Sequence, residues 1–368
     1  MKEPLFELAS TLLPGIGNKL SKVLISYCGS AEAVFTEPLS KLRKTPGIGE
    51  KTIRILQNER EASLRRSEEI ILASKNKGME ILHYTSKGYP YRLKQLEDAP
   101  PVLFIKGNHI HDQRKTVAIV GTRKATEYGK RITEQIVEDL KPHNPLIISG
   151  LAYGIDITAH KAALKNNLAT VGILAGGLDK LYPSAHKEIA KKMLENGGLI
   201  SENQPGTKPD MHFFPARNRI IAGMADVVIV VEAAAKGGAL ITADIAYSYE
   251  KTLMAVPGGL DSPYSAGCNT LIKTQKANIY TGVKDLEYLL HWENNGVAMQ
   301  KPTLDLEAFS NTERPIIKTL LANREGILID ELSWKAQTSM NATASILLNL
   351  EFQGLVRSLP GKRFKLTV

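Results

Sequence analysis

The stretch TVAIVGTRKATEYG (116–129) joins an apolar run of strand length to a loop that contains glycine, threonine and arginine. Five similar apolar runs follow along the chain, separated by helical stretches, at 146–150, 170–174, 199–201, 226–232 and 253–257. Strands that alternate with helices form a parallel sheet with helices on both faces. We therefore predict an α/β fold with a Rossmann-like parallel sheet at its centre.

In a sheet of this kind, ligands bind at the loops that leave the carboxyl ends of the strands. The glycine-rich and polar segments of the chain fall at or beside such positions: 119–129, 149–156, 174–183, 214–226 and 232–244. Free amides at the starts of the following helices suit an anion, and Arg123, Arg217 and Arg219 add fixed positive charge. Phe213 and Phe214 offer ring faces on which bases can stack. The pattern predicts a site for phosphates and bases.

The segment before the sheet contains an internal repeat, LLPGIGNKLSKVLI (12–25) and KTPGIGEKTIRILQ (44–57). Glycine, a hydrophobic residue and glycine between two helices resemble the helix-hairpin-helix module, in which amides of the second helix face a DNA phosphate. A purely structural helical hairpin explains the same pattern, so both interpretations stay open. Residues 83–108, with three prolines, are interpreted as an ordered linker into the next domain.

The last segment, 303–368, reads as three short helices followed by two strands around a Pro-Gly turn, which resembles a winged helix. Its third helix (338–353) contains no Lys or Arg. A winged helix that reads DNA needs basic or amide side chains on that helix, so we expect this segment to contribute little to DNA affinity. The chain is thus expected to divide into a helical (helix-hairpin-helix or SAM-like) domain, an extended Rossmann-like domain and a winged-helix-like domain, at 1–85, 86–300 and 303–368.

Composition narrows the class of protein further. The 368 residues are 43% hydrophobic and 23% charged, which excludes disordered and low-complexity chains, and the net charge of +9 favours a polyanionic partner. No apolar run approaches the roughly 18 residues of a membrane span. Cys28 and Cys268 have no CxxC spacing, so we expect a cytoplasmic protein. The sequence contains no P-loop, GxSxG elbow or HExxH helix, and no metal site is expected.

Several long motifs occur in one order along the middle of the chain: IVGTRKATEYG, SGLAYGIDITAH, LAGGLDKLYP, FPARNRIIAGMAD and AVPGGLDSPYSAGCNTLI. In these motifs the chain resembles the DNA processing protein A family (DprA, also called Smf). The resemblance implies a homodimer that binds single-stranded DNA entering during natural transformation and helps to load the RecA recombinase onto it. It also implies a protein without catalytic activity or cofactor.

The resemblance implies DNA contacts from several loops, carried over motif by motif. These residues are Gly121, Thr122, Arg123, Ser149, Gly150, Gly154, Lys187, Phe214, Arg217, Asn218, Arg219, Gly237 and Gly238. The alternative for Asn218 and Arg219 is that they hold their loop together. Many relatives have Ser-Gly where this chain has Gly237-Gly238, so the geometry of that loop stays open.

The dimer contact implied by the family lies around 268–282. The apolar residues available there are Leu271, Ile272, Ile279 and Tyr280. Packing in the core of the same chain is the alternative for these four residues.

Other polar residues of the middle segment receive ordinary interpretations. His160 is interpreted as a solvated or capping histidine, and Asp156 as the cap of the helix that begins at ITAH. The rival function is a nucleotide N-glycosidase-like Rossmann enzyme, because VPGG (256–259) partly matches the motif PGGxGTxxE. The chain continues with LDSPYS, however, without the GT and Glu of that motif. A third alternative is an architectural adaptor with a vestigial cleft.

Overall fold

A computed structural model of the chain describes residues 4–44, 48–108, 115–292, 306, 309–323, 326–359 and 363–367. The chain divides into two compact units, Met1–Glu293 and Asn294–Val368. None of the helices in the described ranges is long and apolar enough to cross a bilayer.

The first unit opens with helices, as the sequence predicts. Their bounds are α1 (Leu5–Leu12), α2 (Asn18–Cys28), α3 (Ala31–Thr36), α4 (Leu39–Leu42) and α5 (Glu50–Asn76). The two PGIG segments join α1 to α2 and α4 to α5, although residues 45–47 of the second lie outside the described residues. Gly15 of the first has φ 73°, a left-handed conformation that glycine adopts without strain. Leu24, Val34 and Leu56 centre a hydrophobic core formed by these helices.

Within the described residues, a sheet of nine strands follows. The strands are β1 (Glu80–His83), β2 (Val102–Gly107), β3 (Thr116–Val120), β4 (Leu146–Ser149), β5 (Thr170–Ile173), β6 (Gly197–Ser201), β7 (Val227–Val230), β8 (Thr252–Ala255) and β9 (Asn278–Ile279), in the order β1-β2-β6-β5-β4-β3-β7-β8-β9. Strands β3 to β9 are parallel, so the predicted Rossmann-like sheet is confirmed. The direction in which successive strands are added reverses between β3 and β7.

Helices cover both faces of this sheet. Their bounds are α6 (Tyr91–Lys94), α7 (Glu127–Asp139), α8 (Ile155–Lys165), α9 (Lys187–Met193), α10 (Phe213–Met224), α11 (Gly238–Ser248), α12 (Ala266–Lys273) and α13 (Val283–Leu290). Because side chains alternate along a strand, β3 sends Val117 and Ile119 into one core and Ala118 and Val120 into the other. A sheet buried on both faces explains why its strands read as continuous apolar runs.

The interpretation of residues 83–108 as a linker is wrong for residues 102–107. Residues Val102–Gly107 form β2, which pairs antiparallel with β6 and, on its other side, with β1. The first four residues of β2 are buried, because they join the apolar core on both faces. The prolines of this segment all lie before the strand begins, so they do not interrupt its hydrogen bonds.

The second unit is a winged-helix domain, as expected. Its described elements are β10 (Ile327–Leu328), β11 (Val356–Leu359), β12 (Arg363–Leu366), α14 (Arg314–Ala322), α15 (Ile329–Lys335) and α16 (Met340–Phe352). Strand β12 lies between β10 and β11, and the two-residue β10 is too short to leave a pattern in the sequence. The Oγ atom of Ser339 caps α16 by accepting a hydrogen bond from the amide of Ala342 at 3.3 Å.

Candidate functional site

A cleft of about 420 Å³ opens beside the carboxyl ends of β3 and β7, where the direction of strand addition reverses. In open α/β sheets this is the position at which ligands bind. The structure brings eight of the predicted site residues to its walls: Gly121, Thr122, Arg123, Phe214, Arg217, Asn218, Gly237 and Gly238. They come from the loop after β3, from α10 and from the start of α11.

The loop after β3 is anchored by Glu232, which sequence reasoning did not single out. The backbone amide and hydroxyl of Thr126 donate to the Glu232 carboxylate at 2.9 and 2.5 Å, and the amide of Thr122 donates to the Glu232 carbonyl at 2.7 Å. Thr126 is itself the N-cap of α7, because its hydroxyl accepts from the amide of Gly129 at 3.2 Å. An acidic residue directly after an apolar run was the signal available in the sequence, and it does not indicate the partner of Glu232.

Close approach of backbones explains two of the predicted glycines. Gly154 has φ 77°, and a Cβ atom there would lie 2.2 Å from the carbonyl oxygen of Thr122. A Cβ on Gly121 would lie 2.4 Å from Cγ1 of Ile155. These two glycines let the loops after β3 and β4 touch each other, and so they shape the cleft from behind.

Two buried side chains of opposite charge lie close together beneath the cleft. Asp156 and Arg217 are 7% and 6% exposed, and a Cβ atom on Gly150 would lie 2.4 Å from both the Arg217 Nη1 and the Asp156 Oδ2 atoms. The Arg217 guanidinium also donates to the carbonyl of Ile173. Burial raises the pKa of Asp156, although the charge of Arg217 opposes the shift. Gly150 is therefore required by the packing of this pair.

The interpretation of Asp156 as a helix cap is wrong. The N-cap position of α8 is Gly154, and Asp156 lies in the first turn of the helix. Its Oδ2 atom accepts from the amide of Ala152 at 3.3 Å. The carboxylate lies near the Arg217 guanidinium, whose positive charge favours the ionised form of Asp156.

The interpretation of His160 as a solvated or capping residue is also wrong. The side chain is fully buried, with Nδ1 2.7 Å from the Thr170 hydroxyl and Nε2 2.6 Å from the carbonyl oxygen of Gly150. We assign the ring proton to Nε2, since a carbonyl can only accept. Burial lowers the pKa of His160 to about 4. The histidine therefore holds the backbone at Gly150 as a neutral ring.

Arg123 and Phe214 meet at the mouth of the cleft. The guanidinium carbon of Arg123 lies 5.1 Å from the centroid of the Phe214 ring, and Arg123 is exposed. The edge of the same phenylalanine meets Tyr182, with ring centroids 6.3 Å apart. Beside them is a smaller pocket whose lining includes Tyr153 and Lys180. Sequence reasoning did not single out these two residues or Tyr182, although all lie in motifs that it quoted.

Asn218 lies at the cleft wall but is buried, and its amide donates to the carbonyl of Gly238 at 3.3 Å. This contact fits the alternative that Asn218 holds the loop together.

Five predicted residues are absent from the lining of the cleft. Two of them are the tightly packed Gly150 and Gly154, and the other three lie elsewhere. Ser149 is buried and donates to the carbonyl of Ile119 at 2.6 Å. Arg219 points to the opposite side of α10, where it pairs with Glu202. Lys187 is exposed at the start of α9 and is absent from the residues that line the cleft. A DNA contact from any of the three stays a prediction.

The residues proposed for the dimer contact separate into two groups. Leu271 and Tyr280 are 5% exposed and belong to the cores on the two faces of the sheet, and Ile272 packs against one of them. Ile279 is 47% exposed on β9, the strand at the edge of the sheet. The core alternative therefore describes the first three residues, and Ile279 is free to contact a partner.

The fold and the site together define a class of protein: a doubly wound α/β protein with a cleft, lined by exposed cationic side chains, at the reversal point of its sheet. The described residues contain no group of three or more His, Cys, Asp and Glu side chains placed to hold a metal ion. Comparison with known families gives a match of residues 80–291 to DNA recombination-mediator protein A, and of residues 300–362 to the DprA winged helix domain. The chain belongs to the DNA recombination-mediator protein A family, a family of DNA-processing proteins.

Individual relatives agree with this assignment. The chain is 37% identical to the DNA processing protein DprA of Bacillus subtilis over 235 residues, which are 64% of this chain and 79% of the relative. The solved structure of DprA from Streptococcus pneumoniae is similar with a TM-score of 0.67 and 29% identity, over 78% of this chain and 98% of that one. The solved structure of DNA processing protein A from Helicobacter pylori, whose title describes a single-stranded DNA binding mode, has a TM-score of 0.53 and 30% identity, over 58% and 96% of the two chains.

Proposed function

We propose that this protein binds single-stranded DNA in the cleft beside β3 and β7. Arg123 and Phe214 at the mouth of the cleft carry the proposal. The planar guanidinium of Arg123 is exposed and can form paired hydrogen bonds with a phosphate. The rings of Phe214 and Tyr182 can stack with bases, a contact that contributes about 1–3 kcal/mol per base. Stacking on a side chain requires unpaired bases, so single strands are preferred over duplex.

The charge that meets DNA comes from the exposed rim and not from the buried arginine. Arg217 is buried beside Asp156 and donates to the carbonyl of Ile173. Arg123, Lys124 and Lys236 line the cleft and are exposed. Among the described residues none of these three has an ion pair with an acidic side chain. Their contacts with phosphates would release counterions, and affinity would therefore fall as salt concentration rises.

The wider role follows from the family. We infer that the protein acts in the cytoplasm during natural transformation, where it protects the incoming strand and helps to load RecA onto it, without catalysing a reaction. A homodimer would bring two clefts together and raise affinity for a long strand without new kinds of contact. The exposed Ile279 on edge strand β9 is the residue of this chain that best supports a dimer contact.

The decisive experiment compares Arg123→Ala with Lys19→Ala. Lys19 is also an exposed cation, but it lies on α2, away from the cleft, and pairs with Glu97. At one salt concentration, Arg123→Ala should weaken single-strand binding by about tenfold, which equals about 1.4 kcal/mol. Lys19→Ala should stay close to the wild type. Equal losses in the two variants, or equal affinity of the wild type for a duplex and for its separated strand, would overturn the proposal.

A further inference from the structure

A second groove, of about 680 Å³, lies on the other side of the first turn of α10. One wall is the first PGIG loop with Gly15 and Asn18, and the other is the loop after β6 with Gln204. Phe213 and Arg66 also line it. We call this space the N-terminal groove; all of it lies within the first unit.

The N-terminal groove begins where the cleft ends. Phe213 lines the groove, and the next residue, Phe214, lines both the cleft and the smaller pocket. The loop after β6 also borders both spaces, since Thr207 lines the groove and Pro209 lines the smaller pocket. A polymer that leaves the cleft over the first turn of α10 therefore enters the N-terminal groove directly.

The groove carries groups that suit a nucleotide. Phe213 is half-buried and presents part of its ring, and the Oε1 atom of Gln204 is buried without a hydrogen-bond partner among the described residues. The edges of unpaired bases offer N–H donors to such an acceptor. Of the charged residues that line the groove, Arg219 and Glu202 pair with each other. Arg66 is exposed and has no ion pair within the described ranges, so it is available to a phosphate.

We propose that single-stranded DNA continues from the cleft over Phe213 into the N-terminal groove, with Arg66 on a phosphate and Gln204 and Phe213 on a base. This inference rests on the proposed function of the cleft. It makes the first PGIG segment one wall of a DNA path that is longer than the cleft alone. It also gives the helical segment a role in holding long strands and none in holding short ones.

The test is the dependence of affinity on strand length in the full chain. Oligothymidylates of about 6 and about 20 nucleotides, one near the short end and one beyond the long end of common single-strand site sizes, are titrated against the wild type and two variants. Arg66→Glu reverses the charge of the arginine that lines the groove. Arg65→Glu reverses the charge of its exposed neighbour on α5, which does not line the groove. Arg66→Glu should lower affinity for the long strand about tenfold and leave the short strand within twofold of the wild type, whereas Arg65→Glu should change both by less than twofold.

Equal effects of the two charge reversals on the long strand would overturn the inference. Arg123→Ala measured in parallel separates this failure from failure of the proposed function, because it should weaken binding of both lengths. If Arg123→Ala has no effect, the cleft itself is misassigned. Photo-crosslinking with 5-iodouracil strands, with the labelled residue located by fragmentation, adds a direct measurement. Long strands should label Phe213 and residues of the loop after β6, and labelling of Phe214 alone at every length would contradict the path.

Discussion

Gly150→Ala tests whether the cleft depends on the buried pair beneath it. The added Cβ atom would lie 2.4 Å from the charged ends of both Asp156 and Arg217, far inside contact distance. The backbone at Gly150 has little freedom to move away, because its carbonyl oxygen is held by His160 at 2.6 Å. The side chains of Asp156 and Arg217 must therefore move.

The size of the effect follows from two costs. Overpacking a well-packed interior costs about 1–3 kcal/mol, and separating a buried charge from its partner costs about 3–5 kcal/mol. Partial separation places the loss in the free energy of unfolding at about 2–4 kcal/mol. At about 2–4 °C per kcal/mol for a large domain, the Tm of the first unit should fall by about 5–15 °C.

The control for Gly150→Ala is another glycine of the same site. A Cβ atom on Gly238 meets no atom within 4 Å, so Gly238→Ala should leave the Tm within about 2 °C of the wild type. Thermal unfolding followed by circular dichroism gives both values. Equal Tm values for the two variants would refute the claim that Gly150 is required by the Asp156–Arg217 pair.

Three further predictions concern the anchored loop, the winged-helix unit and acid stability. Thr126→Ala removes a helix cap and the contact with Glu232, so it should lower the free energy of unfolding by at least about 1 kcal/mol and weaken single-strand binding. Ser339→Ala removes the equivalent cap of α16, so it should destabilise the second unit and leave binding unchanged. Deletion of 303–368 should lower single-strand affinity by less than tenfold in a binding titration, and a larger loss would assign DNA binding to that unit. His160 has a pKa of about 4 in the folded protein against a usual 6.5, so the folded state binds the proton more weakly than the unfolded state. The free energy of unfolding should therefore fall as the pH drops from about 6.5 towards 4, by about 2 kcal/mol at pH 5. His160→Gln should flatten this decline in denaturation curves measured at several pH values.

The sheet and the position of the cleft could be predicted because their signals are local. The apolar runs of β3 and β7 end where polar loops begin, and loops at the carboxyl ends of neighbouring parallel strands must meet. Phe214, in the first turn of α10, was predicted from its ability to stack with bases. Arg123 was predicted from its place directly after a strand.

Contacts between distant parts of the chain left no such signal. Glu232 anchors a loop more than 100 residues earlier, and nothing near it in the sequence specifies Thr126 as its partner. Asp156 has the sequence position of a helix cap, and only the fold brings Arg217 against it. His160 carries a polar ring on a helix that is buried on almost every side, which periodicity alone does not reveal.

The pairing of β1 with β2 has a consequence for the design of N-terminally shortened fragments. Strand β1 directly follows the last N-terminal helix, yet its residues Glu80 to His83 are hydrogen-bonded partners of β2. A fragment that starts at residue 86 would leave β2 as a bare edge, open to pairing with other molecules and thus to aggregation. A fragment that starts at residue 79 or 80 would keep β2 paired on both sides and leave β1 as the edge strand, as in the whole chain.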